Sequence, residues 1–127
     1  MRLIEQSTVF NLSYPELDDD HAQFVEFINR LNQAGNTEFK ALFVDLMVHT
    51  QTHFDRENLL MDNTHFPART EHNAEHQRIL NEFKQFHRRV DKGLIQFGRS
   101  FVTESLPAWF DLHVKTMDSA LVAHIKR

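Results

Sequence analysis

The chain has 127 residues, a formal net charge of −4, 41% apolar and 25% charged side chains, and no cysteine. That is one domain of ordinary size. Disulfides, iron–sulfur clusters and thiolate or c-type haem attachment are excluded, and the acidic balance leaves no footprint for nucleic acid or an anionic membrane.

Three glycines and three prolines against twelve phenylalanines argue for a helical protein with a real hydrophobic core. Apolar runs stop at four residues, as at 41–44, so no bilayer span is expected. The opening MRLIEQSTVF, with one basic residue and an early Glu5, makes a poor signal peptide, and a soluble cytoplasmic protein is expected. Nine histidines stand out, roughly three times the usual number.

Residues 1–16 read as an extended arm, with Tyr14-Pro15 leading into the first helix. That helix carries Leu17, His21, Phe24, Ile28 and Leu31 at spacings of four and three. It ends at Ala34-Gly35, where Gly35 suits a left-handed C-terminus and Asn36 or Thr37 can cap the next helix. The second helix runs through Phe39, Leu42, Phe43, Leu46, His53, Glu57 and Leu60 and breaks at Asp62-Asn63-Thr64.

Pro67 and Thr70 mark the third start; its stripe is His72, His76, Ile79, Phe83, Phe86 and Val90, and Gly93 ends it. The fourth carries Val102, Leu106, Trp109, His113, Met117 and Ala120. Pro107 within it either kinks the helix or restarts it with Ser105 as cap. Four such helices with short connections make an all-α, antiparallel up-down-up-down four-helix bundle, a single domain over 1–127.

The core stripes contain residues that do not belong in a core. His21, His53, Glu57, His72, His76 and His113 occupy positions where Leu or Phe is expected. Each buried polar group left alone costs about 1–3 kcal/mol, so six would rival a domain stability of about 5–15 kcal/mol. In an antiparallel bundle the starts of helices one and three lie beside the ends of helices two and four. These six residues, with Asp118, therefore converge on one end of the interior.

A metal site compensates for them. His72/His76 and His53/Glu57 each place two ligands one turn apart, about 6 Å between Cβ atoms. Five imidazoles and two carboxylates exceed the needs of a structural zinc and suit two octahedral first-row ions with bridging carboxylates. Asp118 is the weakest member, because five residues from His113 is about 140° of α-helical rotation. Asp111 and Glu104 point farther away.

The set resembles the hemerythrin family over essentially the whole chain. The residues that carry the resemblance are Leu17-Asp18-x-x-His21, His53-Phe54-x-x-Glu57-x-x-x-Met61, Phe66-Pro67-x4-His72-x3-His76 and Trp109-x3-His113-x4-Asp118. The resemblance makes the five-residue offset of Asp118 a family feature. It implies that His72, His76 and His113 hold one iron, that His21 and His53 hold the other, and that Glu57 and Asp118 bridge them with an oxo or hydroxo group. The second iron is then one ligand short, and there the family binds dioxygen, reducing it to a hydroperoxide as both irons go from ferrous to ferric. Asn58 stands where many relatives carry a second Glu, a change expected to matter little. Phe110 replaces a smaller apolar residue and bears on oxygen affinity and access.

Phe24, Phe54, Trp109, Phe110 and Val114 lie within about a turn of a ligand and are expected to wall the oxygen pocket. His49 is too far from Glu57 to share a metal and reads as structural or exposed. His87 and His124, each about 16 Å along its helix from a ligand, read as packing or surface residues, and His65 as an exposed turn residue. Asp18-Asp19-Asp20 and residues 84–89 read as solvated helix surface.

The function implied is reversible dioxygen binding as carrier, store or sensor, without enzymatic turnover. With no transmitter or membrane segment attached, storage, scavenging or delivery to an oxygen-using protein partner is favoured over signalling. The rival is a di-iron oxidase, peroxidase or nitric-oxide-handling enzyme. The Glu-x-x-His pairs of ferritin-like catalysts are absent from the sequence, which favours binding. A third reading is an iron donor or structural metal protein.

Overall fold

Apolar stripes with a helical period must be buried against one another, and in the computed structural model, which describes residues 11–127, they are. Helix α1 spans Pro15–Gln33, α2 Asn36–Asn63 and α3 Arg69–Asp91. The fourth, α4, covers residues 95–125 in five consecutive segments: Ile95–Ser100, Phe101–Ser105, Leu106–His113, Val114–Asp118 and Ser119–Ile125. Each helix packs on the next, and the Phe101–Ser105 segment of α4 closes the ring against α1. The result is the expected four-helix bundle, with no strand among the described residues. None of the described helices is long and apolar enough to cross a membrane.

The ends of the helices follow local chemistry, not always as the sequence suggests. Helix α1 starts at Pro15, so only 11–14 of the expected arm are irregular; residues 1–10 lie outside the described part. Asp18 takes the N–H groups of Leu12 and Tyr14 on its two oxygens, at 2.7 and 2.9 Å. Gly35 is extended, at φ −70 and ψ 172, and precedes α2 directly. Its left-handed freedom is unused. Asn36 and Thr37 lie inside α2 instead of capping it, and the Asn36 Oδ1 accepts a hydrogen bond from Arg99 Nη2, which also reaches Ala34 O at 2.7 Å. Thr70 likewise sits inside α3, behind Ala68 and Arg69. Gly93 does take the left-handed conformation, at φ +91.

Pro107 does not restart α4 behind a Ser105 cap; helical backbone runs on through it. The turn before it widens: Leu106 N–H bonds to Phe101 O, five residues back. A π turn of this kind keeps the helix running while giving the proline ring room where its own hydrogen bond is lost. Ser105 has helical dihedrals and makes no side-chain cap.

The far end of the bundle is aromatic. Phe39, Phe43, Phe83 and Phe101 are fully buried, with ring centroids of neighbours 5.1–6.3 Å apart. Each such ring contributes about 1.5–3 kcal/mol by leaving water. Gly98 makes this end possible, since a Cβ there would run into Val90 Cγ2 and the Phe39 ring.

Candidate metal centre

At the other end the stripes turn polar. His21, His53, Glu57, His72, His76, His113 and Asp118 are all buried, from 0 to 8% exposed. Helix α1 brings His21, α2 His53 and Glu57, α3 His72 and His76, and α4 His113 and Asp118. The structure brings all seven together. Potential ligand atoms of Glu57, His72, His76, His113 and Asp118 lie within 4.8 Å of one another, and so do those of His21, His53, Glu57 and Asp118.

The two carboxylates belong to both groups, and each divides its oxygens between them. Glu57 Oε1 faces His76 Nε2 at 3.0 Å and His72 Nε2 at 3.3 Å, whereas its Oε2 faces His53 Nε2 at 3.3 Å. Asp118 Oδ1 faces His113 Nε2 and His72 Nε2, both at 3.1 Å, whereas its Oδ2 meets His21 Nε2 at 3.0 Å. Close as these approaches are, Glu57 Oε1 and Oε2, Asp118 Oδ1 and the Nε2 atoms of His72, His76 and His113 make no well-directed hydrogen bond. Buried lone pairs that converge without satisfying one another fit a pair of cations between them.

Asp118 reaches this point because the helix is not a regular α-helix there. Val114–Asp118 is a second π turn, closed by Ser119 N–H on Val114 O. The wide turn absorbs one residue, so the about 140° of rotation that five α-helical residues would impose does not arise. Each π turn also holds a threonine whose hydroxyl donates to the carbonyl four residues back, Thr103 to Arg99 and Thr116 to Leu112.

The electrostatics of the protein alone follow from crowding acids and imidazoles in a dry core. Burial by itself would lower His53, but the Glu57 charge and the hydrogen bond to Asp20 hold it up at about 10. Burial also opposes the charged form of His72, yet Asp118 and Glu57 raise it to about 9. Burial pushes Glu57 and Asp118 up, and the facing histidines pull both below the ordinary carboxylate range. His76 is lowered by its burial. Protons on His53 and His72 thus balance two carboxylates in the metal-free protein.

A cavity of about 10 Å³, barely the space of one water, opens beside this cluster. Phe24, Phe54, Trp109 and Phe110 line it with His21, His53, His113 and Asp118, and also Asp20, His49 and Thr50. Phe110 stacks on Phe24 at 4.5 Å, Phe54 on His76 at 3.9 Å and Trp109 on His113 at 4.6 Å. Glu75 anchors the indole N–H at 2.8 Å. Val114 is buried in the core and is not part of the lining.

Two residues differ from expectation, and His49 takes the structural role expected of it. Asp20 is not solvated surface: it is 7% exposed, with Oδ2 at 2.8 Å from His53 Nδ1 and bonded to Arg56. Its hydrogen bonds from His53 and Arg56 outweigh burial and lower its pKa. Asn58 is not incidental, since its Oδ1 faces His76 Nδ1 at 3.3 Å. His49 is half-buried beside the cavity, bonded through Nε2 to Asp20 O at 3.1 Å, and burial lowers its pKa. His65 is exposed in its turn, His87 stacks against Phe43, and His124 bonds Thr64 O at 2.7 Å.

The family described as "Hemerythrin HHE cation binding domain" matches residues 12–127. The bacteriohemerythrin of Ralstonia nicotianae is 34% identical over 118 residues, covering 93% of this chain and 85% of that protein. The myohemerythrin of Riftia pachyptila is 27% identical over 109 residues, covering 86% and 82%.

Proposed function

The chain belongs to the hemerythrin HHE cation binding family, and from that premise we propose that it binds dioxygen reversibly at a non-haem pair of iron ions. His72, His76 and His113 would hold one iron, His21 and His53 the other, and Glu57 and Asp118 would bridge the two with a solvent-derived oxo or hydroxo group. The observation that carries this reading is the division of the Glu57 and Asp118 oxygens between three imidazoles on one side and two on the other. When bound, the iron pair would supply two electrons to dioxygen and take them back on its release, which is what would make the binding reversible.

The protein does the rest. Two imidazoles against three leave the His21/His53 position a donor short, and both of those histidines line the cavity. Phe24, Phe54, Trp109 and Phe110 exclude water from it, which keeps protons from reaching whatever binds there. The five imidazoles present neutral donors and only two carboxylates enter the shell, so little negative charge accumulates to favour high-valent iron. That supports binding over oxidation of a second substrate.

Metal analysis and rapid mixing test the reading. The protein loaded anaerobically with ferrous iron should hold two irons per chain and give a long-lived oxygenated spectrum on mixing with air-saturated buffer. His72→Ala or His113→Ala should lower the iron content sharply. One iron or none in the unaltered protein overturns the di-iron reading. Rapid conversion to the ferric form with peroxide release replaces the carrier with an enzyme.

A further inference from the structure

We propose that Asp20 and Asn58 are positioning residues that make the two metal positions electronically unequal, a carboxylate standing behind His53 and a neutral amide behind His76. The inference rests on the di-iron reading and adds to it an assignment outside the seven candidate ligands.

An imidazole that offers Nε2 to a metal must carry its proton on Nδ1, and the group accepting that proton sets how basic the ring is. His53 and His76 both turn Nε2 toward Glu57. Their Nδ1 atoms meet different partners. His53 Nδ1 lies 2.8 Å from Asp20 Oδ2, and Asp20 is fixed in turn by Arg56 and, through its backbone carbonyl, by His49 Nε2 at 3.1 Å. His76 Nδ1 lies 3.3 Å from Asn58 Oδ1, whose own Nδ2 donates to Asn73 Oδ1 at 3.0 Å and so fixes which end of the amide faces the ring.

The consequence is directional. A charged acceptor at short distance draws the Nδ1 proton strongly and makes Nε2 a better donor, whereas a longer bond to an amide does so weakly. The stronger donor thus falls on the His21/His53 side, where a ligand is missing and the cavity opens. Better donation favours the ferric over the ferrous ion at that position. His53 is also locked in orientation, because Asp20 is nearly buried and cannot swing into water.

Two near-isosteric substitutions separate charge from shape: Asp20→Asn removes the anionic acceptor, and Asn58→Asp supplies one to His76. Iron content, helicity by circular dichroism and the midpoint potential of the iron centre are measured for both variants and the unaltered protein. We expect two irons and unchanged helicity throughout. Asp20→Asn should weaken ferric relative to ferrous affinity about tenfold, a rise in potential of about 59 mV, and Asn58→Asp should shift it the opposite way. Asp20→Glu, which keeps the charge, should restore most of the Asp20→Asn loss. Should Asp20→Asn fail to fold, the sign of the Asn58→Asp shift still decides. Two irons with unshifted potentials in the variants overturn this inference and leave the di-iron reading standing; fewer than two irons in the unaltered protein overturn both.

Discussion

Asp118 follows His113 by five residues, yet its Oδ1 stands 3.1 Å from the His113 Nε2. The π turn between them amounts to one extra residue in an otherwise continuous helix. Everything after Asp118 therefore keeps the phase that a helix one residue shorter would have. Deleting Thr116 should let α4 revert to ordinary α-helical bonding with its C-terminal face still on the core, and the metal-free protein should keep its helicity and cooperative melting. Deleting Gln85 from the regular helix α3 turns the rest of that helix by about 100° and should abolish both. Equal damage from the two deletions, read by circular dichroism melts, would contradict the phase argument.

The metal-free protein should lose stability as pH rises above neutral. His53 and His72 hold their protons to about 10 and about 9 in the folded state, against 6.5 for an ordinary histidine. A group whose pKa is raised on folding stabilises fully below its unfolded value and ceases to do so as pH passes its folded value. The window is therefore about pH 6.5 to 10. Metal competes for the same nitrogens, so protein loaded with iron before the pH is set should escape this decline. The difference in Tm between loaded and metal-free protein should widen across the window, and a constant difference by calorimetry would refute the assignment of those protons.

At low pH the sign reverses. Glu57 and Asp118 are held below the ordinary carboxylate range, so their contribution is present above about pH 4 and is lost as pH falls below it. Glu57→Gln should flatten part of the acid limb of the metal-free stability curve while lowering iron content. An acid limb identical to that of the unaltered protein would show that another carboxylate governs it.

Phe110, 3% exposed and stacked on Phe24, closes the cavity beside His21. Phe110→Ala should admit water and speed autoxidation of the reduced, iron-loaded protein, with two irons retained because Phe110 is wall and not ligand. The truncation costs about 3–5 kcal/mol of packing, so Phe110→Leu serves as the milder companion and should give an intermediate rate. Azide should still produce a charge-transfer band with the ferric form of both. Autoxidation at the unaltered rate in both variants would move the guarded face elsewhere.

Gly98 is needed for contact, not for its dihedral freedom. Gly98→Ala gains about 1 kcal/mol in helix propensity but forces a methyl group against Val90, whose branched side chain has little room to turn. Overpacking of about 1–3 kcal/mol should win. Denaturant melts should show Gly98→Ala destabilised, and Val90→Ala should cost less in the Gly98→Ala background than alone. Strict additivity would exclude the clash.

Six of the seven centre residues were legible because each interrupts an apolar stripe, and because antiparallel order sends them to one end; Asp118, thrown off its stripe by the five-residue offset, was legible only through the family resemblance. Asp20 was hidden inside a run of three aspartates whose composition says surface. Its phase says otherwise, since it lies three residues after Leu17 and four before Phe24 on the inward face. Asn58 could have been found the same way, four after Phe54 and three before Met61. The π turns had no such signal. They are properties of the backbone hydrogen-bond ladder, and side-chain periodicity registers them only as an awkward proline and an awkward offset. Gly35 misled for the reverse reason: a glycine after a helix permits a left-handed turn without requiring one, and here the next helix begins at once.

The clustered phenylalanines have a consequence for the order of assembly. Phe43 precedes His53 on α2 by ten residues, about 15 Å of helix, so the aromatic end and the polar end are joined by rigid rods but share few side chains. The aromatic contacts form with or without metal, whereas those around Glu57 and Asp118 involve crowded charge until a cation arrives. Collapse should therefore start among Phe39, Phe43, Phe83 and Phe101, with the histidine end expected to be the last to settle and the first to open. An ion can then enter a bundle that is already built, by local fraying of that end, and its capture completes folding.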